Sequence, residues 1–292
     1  MNKEILKYIK NKNLRISSNE KFVAIIGSNP SKNARSPKLW NRVYKKLKRK
    51  MVMYPLDVNS NNVIKLVNFL NKNKNFLGGS ITIPFKEKIF KILKKNSTKE
   101  AKKISAVNCL FRDKKGLLKV TNTDGEASLT SFKKKFKNAQ IKNILVMGCG
   151  GAGKAVSTYF SKISSLKKIT ILSRKTEDQK FAKKIRASWL NRKNLPNLEL
   201  SYDLIINCTS LGFDKKKNKI SLPISFFSNI NKKTIIYDVI YKPIKTKLIK
   251  ISEKNGLKTI NGLGMNLEQA AIAFSYVNRT RKIEVIKKIM NG

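Results

Sequence analysis

Lys86 and Asp124 are the residues of this chain whose settings point most directly to chemistry. Each lies in a short phrase that composition alone does not generate, Ser80-Ile81-Thr82-Ile83-Pro84-Phe85-Lys86 and Asn122-Thr123-Asp124-Gly125. Facing each other, the two would move a proton to or from a substrate oxygen, with the carboxylate holding the ammonium. Taken singly, either one reads as a surface charge in a chain with 64 lysines and arginines. A glycine-rich loop follows further along, Gly148-Cys149-Gly150-Gly151-Ala152-Gly153, behind an apolar run. A lysine, an aspartate and a dinucleotide loop in that order point to proton transfer coupled to hydride transfer. The glycines alone would point only to a nucleotide site.

The loop has Gly-x-Gly-x-x-Gly spacing at Gly148, Gly150 and Gly153, between a strand-like run and a helix-like run, the context that makes the spacing meaningful. Gly148 permits a tight turn, Gly150 lets backbone approach a pyrophosphate, and Gly153 lets helix and strand come close. Gly151 and Ala152 open the helix, whose first N–H groups face the phosphates. The end of the next strand selects the cofactor. An NAD site usually carries a carboxylate there for the ribose hydroxyls. This chain has Ser173-Arg174-Lys175 and no acid before Glu177. Two cations suit a 2′-phosphate, so NADP is expected over NAD.

Composition narrows the remaining chemistry. There is no histidine, which removes Ser-His-Asp and Cys-His mechanisms and leaves acid–base work to Lys, Asp, Glu, Tyr or Cys. The cysteines, Cys109, Cys149 and Cys208, match no metal-site spacing, so no metal is expected and a reduced, cytoplasmic protein is. No apolar run approaches the roughly 20 residues of a spanning helix, and the N-terminus carries no export signal, so no membrane partner is expected. The net charge of +47 raises nucleic acid as a partner. The lysines are spread along the whole chain without a basic arm or an aromatic-interleaved basic box, and they read as solvated. The expected partner is a small-molecule substrate, with no specific nucleic acid, and the expected assembly is a monomer or homodimer.

The elements that must position these residues alternate between strand and helix. Strands are expected at 22–27, 51–56 and 79–83, with helices at 38–50 and 63–71 between them. A second series starts near Gly125, with a helix at 126–137, strands at 143–147, 168–172, 203–208 and 234–239, and a helix at 154–162. A long last helix opens at Gly262 and is expected to run to about residue 288. The rhythm argues for two open, mainly parallel-sheet α/β domains, the second a Rossmann-type dinucleotide-binding domain, packed with a cleft between them.

At this point the chain resembles the shikimate dehydrogenase family over nearly its full length. The motifs come in family order: Arg35-Ser36-Pro37, Ser80 to Lys86, Ala106-Val107-Asn108, Asn122 to Gly125, the glycine loop, Asn207-Cys208-Thr209-Ser210, Tyr237-Asp238-Val239-Ile240-Tyr241, and Gly262-Leu263-Gly264-Met265 running into Gln269. The resemblance implies a substrate domain of residues 1–123 plus 263–292 and an NADP domain of residues 124–262. It implies Lys86 and Asp124 as the catalytic pair, and Ser36, Thr82, Asn108, Asp124, Tyr241 and Gln269 as substrate contacts. The glycine loop, Ser173, Arg174, Lys175, Thr209, Gly262 and Met265 become cofactor contacts. The reaction it implies is NADP-dependent reduction of 3-dehydroshikimate in the shikimate pathway of aromatic amino-acid biosynthesis. A relative acting on quinate or another hydroxy-carboxylate is the first alternative, and a basic binding module without catalysis is the second.

The chain departs from the family pattern in places. The usual His-Ser-x-Ser-Pro reads Asn33-Ala34-Arg35-Ser36-Pro37, and the segment 27–37 is one residue longer. Ser80 replaces an Asn, Ser105 a Gly, and Trp40 stands where a His is common.

Overall fold

The structure is a computed structural model that describes residues 4–17, 19–197 and 201–292. The chain divides into two compact units, Met1–Thr123 with Gln269–Gly292, and Asp124–Glu268. The second crossing therefore falls six residues later than the expected 262/263, inside the helix Leu263–Asn278.

The first unit holds a five-stranded sheet of β1 (Phe22–Gly27), β2 (Met53–Asp57), β3 (Phe76–Ile81), β4 (Cys109–Arg112) and β5 (Leu118–Thr121), in the order β2-β1-β3-β4-β5. β1 runs parallel to both neighbours, and every residue of its Phe-Val-Ala-Ile-Ile-Gly run is buried, as a strand covered on both faces requires. β4 and β5 form an antiparallel hairpin on β3 that the sequence reading lacks. Helices Ser36–Lys46 and Val63–Lys72 bury one face each. Val63, Leu66, Val67 and Leu70 supply the second, at helical spacing. Ile64 is exposed. The first of these helices stops at Lys46 rather than 50, because Lys48 turns left-handed with φ +50°, and Leu47 lies exposed.

The second unit holds six strands, all paired in parallel: β6 (Asn143–Met147), β7 (Lys168–Ser173), β8 (Ser188–Asn191), β9 (Leu204–Asn207), β10 (Ile235–Asp238) and β11 (Lys258–Ile260). Their order is β11-β10-β9-β6-β7-β8. The chain builds outward from β6 through β7 to β8, then returns to the other side of β6 and builds outward again. This is the doubly wound order of dinucleotide-binding sheets. β8 and β11 are absent from the sequence reading, and neither is a fully buried apolar run like β9 and β10.

The expected last helix is two. Leu263–Asn278 ends where Arg279 takes φ +52°, and Ile283–Asn291 follows. Among the described residues, no helix is long and apolar enough to cross a membrane.

Candidate active site

Each sheet has one point where its strand order reverses, and several of the residues singled out from sequence lie at those points. In the first sheet the chain leaves β1 for β2 on one side and comes back for β3 on the other. The carboxyl ends of β1 and β3 therefore flank the reversal, the place where open α/β sheets take ligands. The loops after these two strands are tied together. Thr82 donates its N–H to Ile26 O at 2.9 Å, and Ser28 donates to Ile83 O at 3.2 Å. Pro84 follows a cis peptide bond. Phe85 N–H then bonds Thr82 O at 3.1 Å, and Lys86 becomes the first residue of the helix Lys86–Ile92. The Lys86 carbonyl accepts the N–H of Val107 at 3.0 Å, which fixes the helix start beside the Ala106-Val107-Asn108 segment.

Asn108 is the hub of this half. Its Oδ1 accepts Thr123 N–H at 2.7 Å, and its Nδ2 donates to Thr123 Oγ1 at 2.9 Å and to Gln269 Oε1 at 3.3 Å. Thr123 Oγ1 in turn donates to the Gln269 carbonyl at 3.2 Å. Asn108 and Gln269, 161 residues apart in sequence, are thus in direct contact, with Thr123 as their clasp. Asn122 Nδ2 adds a bond to Ala106 O at 3.0 Å. The sequence reading overlooks Thr123, although it stands in the same phrase as Asp124.

Ser36 opens its helix and is buried. The longer segment before it is held by buried Asp57, whose Oδ1 accepts Ser31 N–H at 2.9 Å and whose Oδ2 accepts the Ser31 hydroxyl. Three departures from the family pattern leave a mark here. Trp40 Nε1 and Ser80 Oγ are buried without a hydrogen-bond partner among the described residues, each at a cost of about 1–3 kcal/mol. Ser105 adopts the left-handed conformation, φ +61°, at the end of the helix Lys99–Ile104, a position that favours glycine.

In the second sheet the reversal lies between β6 and β9, and the glycine loop leaves β6 at that point. Gly148 has φ +96°, outside the range of ordinary side chains. A Cβ on Gly153 would lie 2.0 Å from Gly148 O, so only glycine lets helix Gly151–Phe160 come this close to the strand end. A Cβ on Gly150 would meet nothing within 4 Å. Its lack of a side chain serves no packing need of the chain and leaves the backbone open to a ligand. Gly150 is also the N-cap, with no side-chain cap bond, so the first N–H groups at Gly151 and Ala152 face outward. These features fit a dinucleotide pyrophosphate.

Ser173 ends β7, and its Oγ accepts Trp189 Nε1 at 2.9 Å. Arg174 and Lys175 follow, both exposed, as is Glu177. Across the reversal, Thr209 Cγ2 would lie 3.1 Å from a Cβ on Gly148, placing its methyl against the glycine loop. The Thr209 hydroxyl is engaged within its own loop. It donates to Asn207 Oδ1 at 2.7 Å and accepts Leu211 N–H at 3.1 Å.

Asn207 and Asp238 are the paired last residues of β9 and β10. Asn207 Nδ2 donates to Asp238 Oδ1 at 3.0 Å and to Leu211 O at 3.3 Å. Asp238 accepts Ile240 N–H on Oδ1 at 3.1 Å and the Thr246 hydroxyl on Oδ2 at 2.6 Å. Burial raises its carboxyl to about 6, against the lowering effect of these bonds. The only sequence signal for this network is a polar residue closing each of two apolar runs.

Asp124 is buried at the start of the helix Asp124–Lys135, an acid at the positive end of the helix dipole. Tyr241 lies half-buried in the loop after β10. Gly262 donates its N–H to Ile240 O at 3.0 Å, and a Cβ on it would strike Val239 O at 1.9 Å. Met265 is buried in the helix that follows. Lys86, Thr82, Ser36, Asn108 and Gln269 thus belong to the first unit, and the remaining site residues to the second.

The chain is similar to known proteins. A family model described as the shikimate dehydrogenase substrate binding domain matches residues 25–110. The chain is 32% identical over 282 residues to the shikimate dehydrogenase (NADP(+)) of Carboxydothermus hydrogenoformans, covering 94% of this chain and 98% of that protein. The protein of the same name from Prochlorococcus marinus strain MIT 9301 is 34% identical over 286 residues, covering 94% and 97%. The crystal structure of a shikimate dehydrogenase in complex with NADP+ superposes with a TM-score of 0.80 at 27% identity, over 95% of this chain and 96% of that one.

Proposed function

The chain belongs to the shikimate dehydrogenase family, and on that footing we propose how its residues carry the NADP-dependent interconversion of 3-dehydroshikimate and shikimate. The observation that carries the reading is the glycine loop at the reversal point of a doubly wound sheet, with Gly150 open and two exposed cations at the end of β7. Gly148 to Gly153 hold the pyrophosphate. Arg174 and Lys175 hold the 2′-phosphate, Arg174 through parallel hydrogen bonds. Thr209, Gly262 and Met265 shape the rest of the cofactor surface, and Ser173 supports it through its bond to Trp189. NADP supplies the hydride acceptor or donor for the ring carbon.

Lys86 gives a proton to the substrate oxygen on reduction and takes it back on oxidation. Asp124 is the acidic member of the catalytic pair. Ser36, Thr82, Asn108, Tyr241 and Gln269 bind the ring hydroxyls and carboxylate. Each of these groups needs a partner once water is excluded. The Asn108-Thr123-Gln269 clasp supports this assignment, because it orders two side-chain amides before substrate arrives. Ala34 withholds the hydroxyl that family members direct at the carboxylate, which leaves Ser36 as the serine of that motif. A cytoplasmic setting belongs to this reading, in keeping with the free thiols of Cys109, Cys149 and Cys208. So does a monomeric or homodimeric assembly.

The test is the initial rate of NADP reduction with shikimate, quinate and a panel of related hydroxy acids, repeated with NAD. A rate with shikimate and NADP above all other pairs is expected. Turnover of quinate with none of shikimate would replace the substrate assignment. No turnover of any acid would favour a binding module.

A further inference from the structure

We infer that Asp238 is a positioning residue for cofactor binding: its carboxylate fixes the orientation of the Asn207 amide and through it the face that Thr209 turns to the glycine loop. The inference rests on the reading of that loop as the NADP site.

Hydrogen-bond polarity links these side chains. An ionised carboxylate only accepts. Asp238 Oδ1 must therefore receive the NH2 side of Asn207, at 3.0 Å, and the other NH2 hydrogen reaches Leu211 O at 3.3 Å. The Asn207 oxygen is then forced toward Thr209, where it accepts both the N–H at 3.1 Å and the hydroxyl at 2.7 Å. With its hydroxyl turned inward, Thr209 presents its methyl to Gly148. Reversing the amide would set acceptors together at Asp238 and Leu211 O and two donors together at Thr209, so the carboxylate excludes that state jointly with the two backbone groups.

Thr246 secures the other end. It is the N-cap of the helix Lys247–Lys254, where its Oγ1 accepts Ile249 N–H at 3.3 Å, so its one hydroxyl proton is directed at Asp238 Oδ2. The carboxylate is fully buried and all its protein donors here are neutral. Burying such a charge is costly, and fold stability alone would be served as well by a neutral amide. An amide at 238 opposes the reversed Asn207 less strongly, because it can donate as well as accept, and leaves that task to Leu211 O and the Thr209 N–H.

The test uses the full-length protein with three variants, Asp238→Asn, Thr246→Val and Thr246→Ser. NADP affinity is read by direct titration, and KM for NADP, KM for shikimate and kcat by steady-state kinetics. Asp238→Asn is isosteric and keeps one acceptor oxygen, enough for Asn207 and Ile240 or for Thr246 but not for both sides, and as a neutral group it is expected to fold. It is expected to raise the Kd and KM for NADP by roughly three- to ten-fold, as for loss of about one hydrogen bond, with kcat and the shikimate KM within about two-fold. Thr246→Val should move the same constants in the same direction. Thr246→Ser, which keeps the hydroxyl, should match the parent. Unchanged NADP constants in Asp238→Asn would overturn the inference, as would a loss confined to kcat, which marks a merely structural role. A parent protein that does not bind NADP would overturn the cofactor reading itself, a result separable from the variants' behaviour.

Discussion

Lys86 is a cation at the first residue of a helix, beside the positive end of the helix dipole. That is an unfavourable place for a lysine as far as the helix is concerned, so removing it should not unfold the first unit. Lys86→Ala is expected to lower kcat by roughly two to four orders of magnitude, the range for a positioned acid–base group. NADP affinity and melting temperature should hold. Near-normal turnover in stopped assays would remove Lys86 from the mechanism. Arg174 presents a different case. It is exposed, so truncation strands no buried partner. A charge-assisted bond to a phosphate contributes about 1.5–3 kcal/mol. Arg174→Ala should therefore weaken NADP by roughly ten- to a hundred-fold and leave NAD almost untouched. Equal losses for the two cofactors, measured by titration, would mean that Arg174 does not read the 2′-phosphate.

At the scale of elements, the strand ends carry the site, and β10 shows what that demands. Its last residue, Asp238, has a carboxyl raised by burial to about 6 from the ordinary 3.8. The folded protein therefore binds this proton more readily than the unfolded chain between about pH 4 and pH 6. Stability from this group falls as pH rises through that window. Above it the fold carries an ionised buried carboxylate at a cost of about 3 kcal/mol. The prediction is read as a difference. Unfolding free energies of the parent and Asp238→Asn, followed by denaturant from about pH 4 to about pH 7, should diverge in favour of the variant as pH rises. A constant difference would place the Asp238 carboxyl in the ordinary range. Stability given up at a strand end in exchange for a fixed donor pattern is a common trade at functional sites.

The whole molecule carries a net charge of +47, and NADP is an anion. A field of that sign draws anionic ligands inward, but over distances cut to about 10 Å at 0.1 M salt. KM for NADP is expected to rise several-fold as salt is raised from about 0.05 M to about 0.5 M, with kcat nearly level. A flat KM would assign the charge no part in recruitment. The lysines are proposed to be solvated and not a nucleic-acid surface. Tight binding of arbitrary duplex DNA at about 0.15 M salt would reverse that proposal.

What the sequence determined by itself is what short stretches of chain decide. The glycine loop is legible because the turn, the open backbone and the close helix start are set by six consecutive residues, and the structure gives Gly148, Gly150 and Gly153 separate physical reasons. The buried strands are legible because a run such as Phe22–Gly27 has no polar face to offer solvent. Tertiary structure decided the rest, through contacts between residues far apart in sequence. The helix Leu263–Asn278 ends with a local bond from Thr280 N–H to Ser275 O at 3.2 Å, and a distant contact joins it at Arg279. Its left-handed turn comes with a guanidinium bond to Asp113 O at 2.6 Å, 166 residues away. The hairpin that bears Asp113 is itself built of two four-residue strands that become strands by pairing on β3. Asn207 meets Asp238 because strand register pairs them, and Asn108 meets Gln269 because the helix Leu263–Asn278 returns to the first unit. Periodicity reports how a segment meets solvent, whereas a hydrogen bond between distant side chains depends on which strands become neighbours, and that is settled only when the sheet forms.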